Sequence, residues 1–153
     1  MGNRMGGSKR GEDYLKAMLI LEREKGYIRI TDLAHRLKVK PASVVEYLEK
    51  LAMKGFVEYE KRERIKLTEK GRKLAEKIYR RHIAIRDFLK KILMIPEDIA
   101  EKDACYIEHG LSNETMDRVV QFLEFLDKCF KEKPKFLEHL KYYYEYNRCS
   151  EKP

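Results

Sequence analysis

The segment TDLAHRLKVKPASVVEYLEKL, residues 31–51, has the pattern of two short helices joined by a tight turn. Thr31 is a favourable N-cap, and the apolar residues that follow it repeat at helical spacing. Pro41 suits the first position of the second helix, because the N–H that proline lacks would have no helical partner there. We therefore predict a helix-turn-helix with helices at 32–37 and 41–54.

The elements on either side extend this pattern into a winged helix-turn-helix. A helix is predicted over 12–25 and ends at Gly26, and residues 27–30 form a short extended piece. Residues 56–59 and 65–67 have strand-like patterns and enclose a charged, basic turn, which predicts a hairpin. The order helix, strand, helix, turn, helix, hairpin is typical of winged DNA-binding domains.

The rest of the chain is predicted to be helical. A long helix over 69–94 carries one apolar stripe in which His82 is the exception. His82 therefore points inward, and an ordinary core histidine with a hydrogen-bonded partner would explain it as well as a binding role. A helix starting at Pro96 runs to Gly110-Leu111. Another is capped by Ser112 or Asn113, and the last helix starts after Pro134.

Composition narrows the class of protein. The net charge of +8 and the pI near 9.3 favour an acidic partner such as nucleic acid. No apolar run approaches the roughly 18 residues of a membrane span, so we expect no membrane partner. The N-terminus has no secretory signal, and three widely spaced cysteines do not suggest a disulfide framework. We therefore expect a cytoplasmic protein.

The segment DACYIEHGL, residues 103–111, carries the clearest chemical signal. Cys105, Glu108 and His109 stand at positions i, i+3 and i+4, which lie on one face of a helix. A thiolate, a carboxylate and an imidazole together suit Fe(II), Mn(II), Co(II) or Zn(II) better than Mg(II) or Ca(II). A cysteine packed in a core beside an exposed Glu-His pair is the alternative, and these residues alone leave it open.

Five strings resemble the family of the diphtheria toxin repressor and the manganese transport regulator, which are metal-dependent transcriptional repressors. They are Glu12-Asp13-Tyr14-Leu15, Val39-Lys40-Pro41-Ala42-Ser43-Val44-Val45, Leu67-Thr68-Glu69-Lys70-Gly71, Arg80-Arg81-His82 and Cys105-Tyr106-Ile107-Glu108-His109-Gly110-Leu111-Ser112. The resemblance covers roughly residues 12–130. It implies a regulator rather than an enzyme, acting as a homodimer on a palindromic operator in double-stranded DNA.

The resemblance implies a mainly α fold, with an N-terminal winged helix-turn-helix domain followed by a helical metal-binding and dimerisation domain. On this basis we assign a disordered basic arm to 1–11, the DNA-binding domain to 12–72 and the helical domain to 73–149, with helix 69–94 linking the two. We also expect no further C-terminal domain of the kind, roughly 70 residues long, that some relatives carry.

The resemblance also implies a ligand set. Asp13, Cys105, Glu108 and His109 fall on the main metal site, and His82 matches a ligand of a second, adjacent site. In this family the ligand at Asp13 comes from the DNA-binding lobe and the others from the dimerisation lobe. Metal binding would then lock the dimer so that its two recognition helices meet successive major grooves.

Three positions depart from the family pattern. Lys16 stands where the manganese regulators carry a carboxylate. Arg86 and Glu101 stand where the iron-type members carry a glutamate and a histidine in the ancillary site, and we retain Glu101 as a candidate ligand. Cys105 matches the iron type, whereas Asp13 matches the manganese type. We expect Fe(II) or Mn(II), and Co(II), Ni(II) or Zn(II) could substitute.

The predicted DNA contacts fall into two groups. Ser43 and Glu46, near the start of the recognition helix with Pro41 and Ala42, could face base edges. The predicted phosphate contacts are Lys40, Lys50, Arg62, Arg64 and Lys66, and the arm could add salt-dependent affinity. For each basic residue the alternative is a solvated surface charge. For Glu46 it is an ion pair with Lys50, four residues on.

Other functions fit parts of the pattern. A winged-helix protein could bind DNA regardless of metal, or Cys105 could make the protein a redox-sensing regulator. A metal-dependent hydrolase could use such a site to activate water, but the sequence suggests no general base beyond the ligands and no small-molecule substrate. DNA binding measured with Fe(II) or Mn(II) and then with a chelator tests the first of these alternatives, since equal affinity would favour metal-independent binding.

Overall fold

Seven helices and one two-stranded sheet lie in residues 8–60 and 64–149, the part of the chain that this computed structural model describes. The fold is mainly α, as predicted. The chain divides into two units, Met1–Arg80 and Arg81–Pro153, and α4 contributes residues to both. The elements are α1 Lys9–Lys25, α2 Ile30–Leu37, α3 Pro41–Met53, β1 Val57–Glu58, β2 Lys66–Leu67, α4 Glu69–Lys91, α5 Glu97–Ile107, α6 Asn113–Cys129 and α7 Lys135–Tyr146.

Helix α1 is the central element of the first unit's core. Its residues from Tyr14 to Leu19 are all buried, and Tyr14 and Leu15 are almost completely so. The helix begins at Lys9, three residues before the predicted start, because the Ser8 hydroxyl accepts a hydrogen bond from the Gly11 amide. Residues 9–11 therefore belong to α1 rather than to the predicted arm. Gly26 ends the helix at φ 75°, as predicted.

The helix-turn-helix consists of α2 and α3. Helix α2 begins at Ile30, so Thr31 lies inside it rather than at its N-cap. The reason is a backbone bond of 3.0 Å from the Leu33 amide to the Arg29 carbonyl, which closes the first turn early. Helix α3 begins at Pro41 as predicted, after an extended Lys40.

The wing is shorter than predicted. Strands β1 and β2 pair antiparallel, with Val57 opposite Leu67 and Glu58 opposite Lys66. The extended piece predicted before α2 pairs with the wing through an isolated antiparallel bridge between Ile28 and Ile65. Residues 61–63 at the tip of the hairpin, which include Arg62, lie outside the described residues.

The junction between the wing and α4 is closely packed. The Thr68 hydroxyl donates to the Gly55 carbonyl at 2.7 Å and accepts from the Gly71 amide at 3.0 Å. A Cβ atom on Gly71 would lie only 1.9 Å from the Phe56 carbonyl oxygen. Glycine is required here because the backbone of Phe56 occupies the space of a side chain.

The second unit packs α4, α5 and α6 around a small core that contains Ala84, Ile85, Leu89, Ala100, Ala104 and Met116. Helix α4 ends at Lys91 instead of the predicted Met94, whose φ is 57°. Helix α6 is capped by Ser112, whose hydroxyl accepts from the Thr115 amide at 3.2 Å. Within the described residues, no helix combines the length and apolar character that crossing a membrane requires.

Candidate metal centre and DNA-binding surface

The turn after α5 carries two of the predicted ligands. Helix α5 ends at Ile107, so Glu108 stands at its C-cap and His109 in the following turn, rather than inside a continuing helix. The guanidinium of Arg81 stabilises this turn by donating to the carbonyls of Glu108 at 3.5 Å and Leu111 at 3.2 Å. A cation on α4 thus donates to carbonyl groups at the end of α5 and in the turn that follows it.

The carboxylate of Glu108 lies between two imidazoles. Glu108 is buried, with an exposed fraction of 4%, which is unusual for a glutamate. Its Oε1 lies 3.4 Å from His109 Nε2, and its Oε2 lies 2.9 Å from His82 Nδ1. Two donor atoms each about 2.1 Å from one ion lie about 3.0–3.4 Å apart at octahedral or tetrahedral angles. Glu108 Oε1 and His109 Nε2 therefore have the separation of two ligands on one divalent ion.

His82 is buried, as its place in the apolar stripe predicted, and both its ring nitrogens contact carboxylates. Besides the contact with Glu108, its Nε2 lies 2.8 Å from Glu101 Oε1. The other oxygen of Glu101 lies 3.7 Å from Arg86 Nη1. The hydrogen-bonded core histidine that the sequence left open as an alternative fits these contacts.

The remaining predicted ligands lie in different units. Cys105 is half-buried in the last turn of α5, one helical turn before Glu108. Asp13 is half-buried near the start of α1, in the first unit. Lys16 follows it by three residues on α1 and is buried. Cys105, Glu108 and His109 thus come from one short segment of the second unit, whereas Asp13 is distant in sequence.

The predicted DNA-contacting residues of α3 are mostly exposed. Lys40, Glu46 and Lys50 are exposed, and Ser43 is half-buried. Lys50 Nζ lies 2.6 Å from Glu46 Oε1, so the ion pair that was the alternative for Glu46 is present. The hydrogen bond and the charge of Lys50 lower the pKa of Glu46.

At the wing and at the start of α3 the remaining predicted contacts are also on the surface. Arg64 and Lys66 are exposed on the wing. Pro41 and Ala42 are exposed at the start of α3. Arg62 belongs to the hairpin tip, outside the described residues. The described exposed side chains of α3 and the wing thus include both basic residues, such as Lys50, Arg64 and Lys66, and acidic ones, such as Glu46 and Glu49.

A contact between α1 and α3 was missed in the sequence analysis. The ring of Tyr14 stacks on Tyr47 with centroids 4.6 Å apart, and its hydroxyl donates to the Ser43 carbonyl at 3.4 Å. Burial raises the pKa of the Tyr14 phenol. The Tyr47 hydroxyl is within 2.5 Å of the Ser8 hydroxyl. The helix that carries Asp13 is therefore joined directly to the recognition helix.

Two family descriptions match consecutive parts of this chain. "Iron dependent repressor, N-terminal DNA binding domain" matches residues 8–65, and "Iron dependent repressor, metal binding and dimerisation domain" matches residues 68–137. The chain belongs to the iron-dependent repressor family. The resemblance found in the sequence is thereby confirmed, as are the DNA-binding and metal-binding and dimerisation domains of the fold class.

Two relatives with similar sequences support this family assignment. The chain is 40% identical over 119 residues to an HTH-type transcriptional regulator of Methanocaldococcus jannaschii, covering 76% of this chain and 95% of the relative. It is 37% identical over 130 residues to the HTH-type transcriptional regulator MntR of Geobacillus kaustophilus, and the match covers 85% of this chain and 89% of that relative. The family comprises iron- or manganese-dependent transcriptional repressors, and its members are regulators rather than enzymes.

A solved structure shares the fold. A manganese-dependent transcriptional repressor in complex with manganese matches 74% of this chain with a TM-score of 0.68 and 30% identity. The match covers 52% of that structure, so this chain spans about half of its length.

Proposed function

We propose that this protein is a metal-dependent repressor that binds a palindromic operator as a homodimer and controls genes of iron or manganese homeostasis. The observation that carries the proposal is the buried Glu108 carboxylate, whose Oε1 lies 3.4 Å from His109 Nε2. This separation is the one expected for two donor atoms on a single divalent ion. Its operator DNA implies a cytoplasmic location.

In this proposal Asp13, Cys105, Glu108 and His109 hold the regulatory ion. The donor set of two carboxylates, a thiolate and an imidazole favours a borderline transition metal over Mg(II) or Ca(II). We propose Fe(II) or Mn(II) as the physiological ion. The ions Co(II), Ni(II) and Zn(II) would bind the same donors in solution, because nitrogen, oxygen and sulfur donor sites select poorly among divalent first-row metals and Co(II) and Ni(II) generally bind more tightly than Mn(II) or Fe(II).

The switch follows from where the ligands lie in the sequence. Asp13 is on α1, whereas Cys105, Glu108 and His109 are more than 90 residues further along the chain. With the ion absent, Asp13, Cys105 and Glu108 would repel one another when ionised. With the charges compensated, α1 becomes fixed, and Tyr14 on α1 contacts the recognition helix through Ser43. A coupling of about 1–3 kcal/mol would change DNA affinity roughly 5- to 150-fold.

The DNA-binding surface in this proposal comprises the exposed end of α3 and the wing. Ser43 and Glu46 would read base edges, the latter only after releasing Lys50. The basic side chains would contact phosphates. The full proposed set is Lys40, Pro41, Ala42, Ser43, Glu46, Lys50, Arg62, Arg64 and Lys66.

The test is operator binding, measured by fluorescence anisotropy under anaerobic, reducing conditions. We expect Mn(II) or Fe(II) to raise the affinity of the wild-type protein roughly 5- to 150-fold over the chelated form. His109→Ala should abolish this increase and leave a folded dimer. His139→Ala, a half-buried histidine of α7, is the matched control and should respond like the wild type.

Two outcomes would contradict the proposal. Equal affinity of the wild type with metal and with chelator would favour a winged-helix protein that binds DNA without metal. A His109→Ala variant that metal still activates would mean that the ligand assignment is wrong. Size-exclusion chromatography of each variant, with light scattering, checks that the dimer is retained.

A further inference from the structure

We propose that His82 is a positioning residue for the metal ligand Glu108 and that each subunit binds a single regulatory ion. The inference rests on the proposed function, because it concerns the same site. The sequence analysis left His82 and Glu101 as candidate ligands of a second ion. Their contacts in the structure favour a different role for both.

The hydrogen bonds of His82 use both nitrogens of its ring. Nδ1 lies 2.9 Å from Glu108 Oε2, and Nε2 lies 2.8 Å from Glu101 Oε1. Imidazole coordinates a metal through a ring nitrogen lone pair that faces the ion. Each ring nitrogen of His82 instead faces a carboxylate oxygen, so neither is available to a second ion without breaking a hydrogen bond. The exposed fraction of 4% leaves His82 little room to turn.

Glu101 has its own cationic partner. Its second oxygen lies 3.7 Å from Arg86 Nη1 on α4, one helical turn after His82. The guanidinium also contacts Asp87, with 3.3 Å between Arg86 Nη2 and Asp87 Oδ1. A permanent positive charge thus stands beside the group that would have to bind a second cation. Because like charges repel, Arg86 both compensates Glu101 and opposes a second ion.

The effect on the regulatory site acts through Glu108. The hydrogen bond from His82 engages Oε2, which leaves Oε1 directed at His109 Nε2, 3.4 Å away. A carboxylate ligand held by an outer hydrogen bond binds metal more tightly, because it does not have to be ordered on binding. Loss of such an outer partner typically lowers metal affinity about 10- to 100-fold without removing a ligand.

Calorimetric titration with Co(II), followed by the visible spectrum of the bound ion, tests the inference. We expect one Co(II) per subunit in the wild type. His82→Ala should weaken binding about 10- to 100-fold while the stoichiometry and the ligand-field bands stay unchanged. His82→Gln should recover part of the affinity, because its amide can still donate to Glu108. A residue with a merely structural role would not show this recovery.

Glu101→Gln and Glu97→Gln form a matched pair on α5. Glu97 is exposed and pairs with Lys90, away from His82, so its variant should bind Co(II) like the wild type. Glu101→Gln should weaken binding measurably, because it loses the charged partner of His82. Equal affinities for these two variants would overturn the role of Glu101 in positioning His82.

The remaining outcomes separate this inference from the proposed function. Two Co(II) ions per subunit in the wild type, falling to one in His82→Ala, would make His82 a ligand and overturn the inference alone. Binding of no Co(II) by a folded wild-type protein would overturn the proposed function. If His82→Ala fails to fold, the Co(II) affinities of His82→Gln and Glu101→Gln test the positioning role of His82 instead. Circular dichroism confirms that these two variants are folded.

Discussion

Gly71→Ala should strongly destabilise the DNA-binding unit. The new Cβ would lie 1.9 Å from the Phe56 carbonyl oxygen, so the start of α4 and the chain before β1 would have to separate by about 1 Å. Over-packing of this kind costs about 1–3 kcal/mol, and here the obstacle is backbone, which favours the upper end. The shift also strains the 3.1 Å bond from the Thr68 amide to the same oxygen, worth about 1 kcal/mol.

The helical preference of alanine over glycine returns about 1 kcal/mol, so we expect a net loss of about 2–3 kcal/mol. This loss in the free energy of unfolding is measured by urea unfolding of the metal-free protein, followed by circular dichroism. With a slope of about 2 kcal/mol per molar urea, the midpoint should fall by about 1 M.

Gly110→Ala is the matched control for this prediction. A Cβ there would meet the Ile107 carbonyl oxygen at 3.6 Å, an ordinary contact, so stability should change by no more than about 1 kcal/mol. The reasoning would be refuted if Gly71→Ala and the wild type had the same unfolding midpoint within error. The close approach of Gly71 to the Phe56 carbonyl would then carry no energetic cost.

Two further predictions concern the DNA-binding surface. Arg64→Ala should weaken binding to all sequences alike and reduce the slope of log affinity against log salt by about one, because Arg64 is exposed on the wing and is proposed to contact phosphate. Relaxed preference at a single base pair would instead show that the wing reads sequence. Glu46→Gln should change the urea midpoint little, because its ion pair with Lys50 is exposed. It should strengthen non-specific DNA binding by removing a negative charge and releasing Lys50, and unchanged non-specific affinity would place Glu46 away from DNA.

The link between α1 and α3 gives the proposed switch a physical route. Tyr14 is the residue after Asp13, and its buried ring stacks on Tyr47 of the recognition helix. In the proposal, an ion that fixes Asp13 would also fix the position of Tyr14, and hence of α3. Packed aromatic rings transmit small shifts because the interior is dense and hardly compressible.

Local sequence signals were sufficient for the elements of the first unit. Pro41 starts α3 and Gly26 ends α1 as predicted, because the missing N–H of proline and the free φ of glycine act within a single turn. The early starts of α1 and α2 differ because a serine cap and a backbone bond outweighed the propensity pattern. Such local competition shifts helix ends by a few residues without changing the order of the elements.

The sequence by itself determined the winged helix-turn-helix order and grouped Cys105, Glu108 and His109 as candidate ligands, because both depend on spacing along a few turns of chain. The resemblance of its sequence strings also indicated the family. Only the tertiary structure decided the partners of these residues. Arg81 reaches the turn after α5 across 27 to 30 residues, and His82 meets Glu101 and Glu108 across 19 and 26. Hydrogen bonds between distant segments depend on how helices pack, which periodicity within one helix does not specify. The orientation of Glu108, on which the proposed metal switch depends, is therefore a property of the folded second unit.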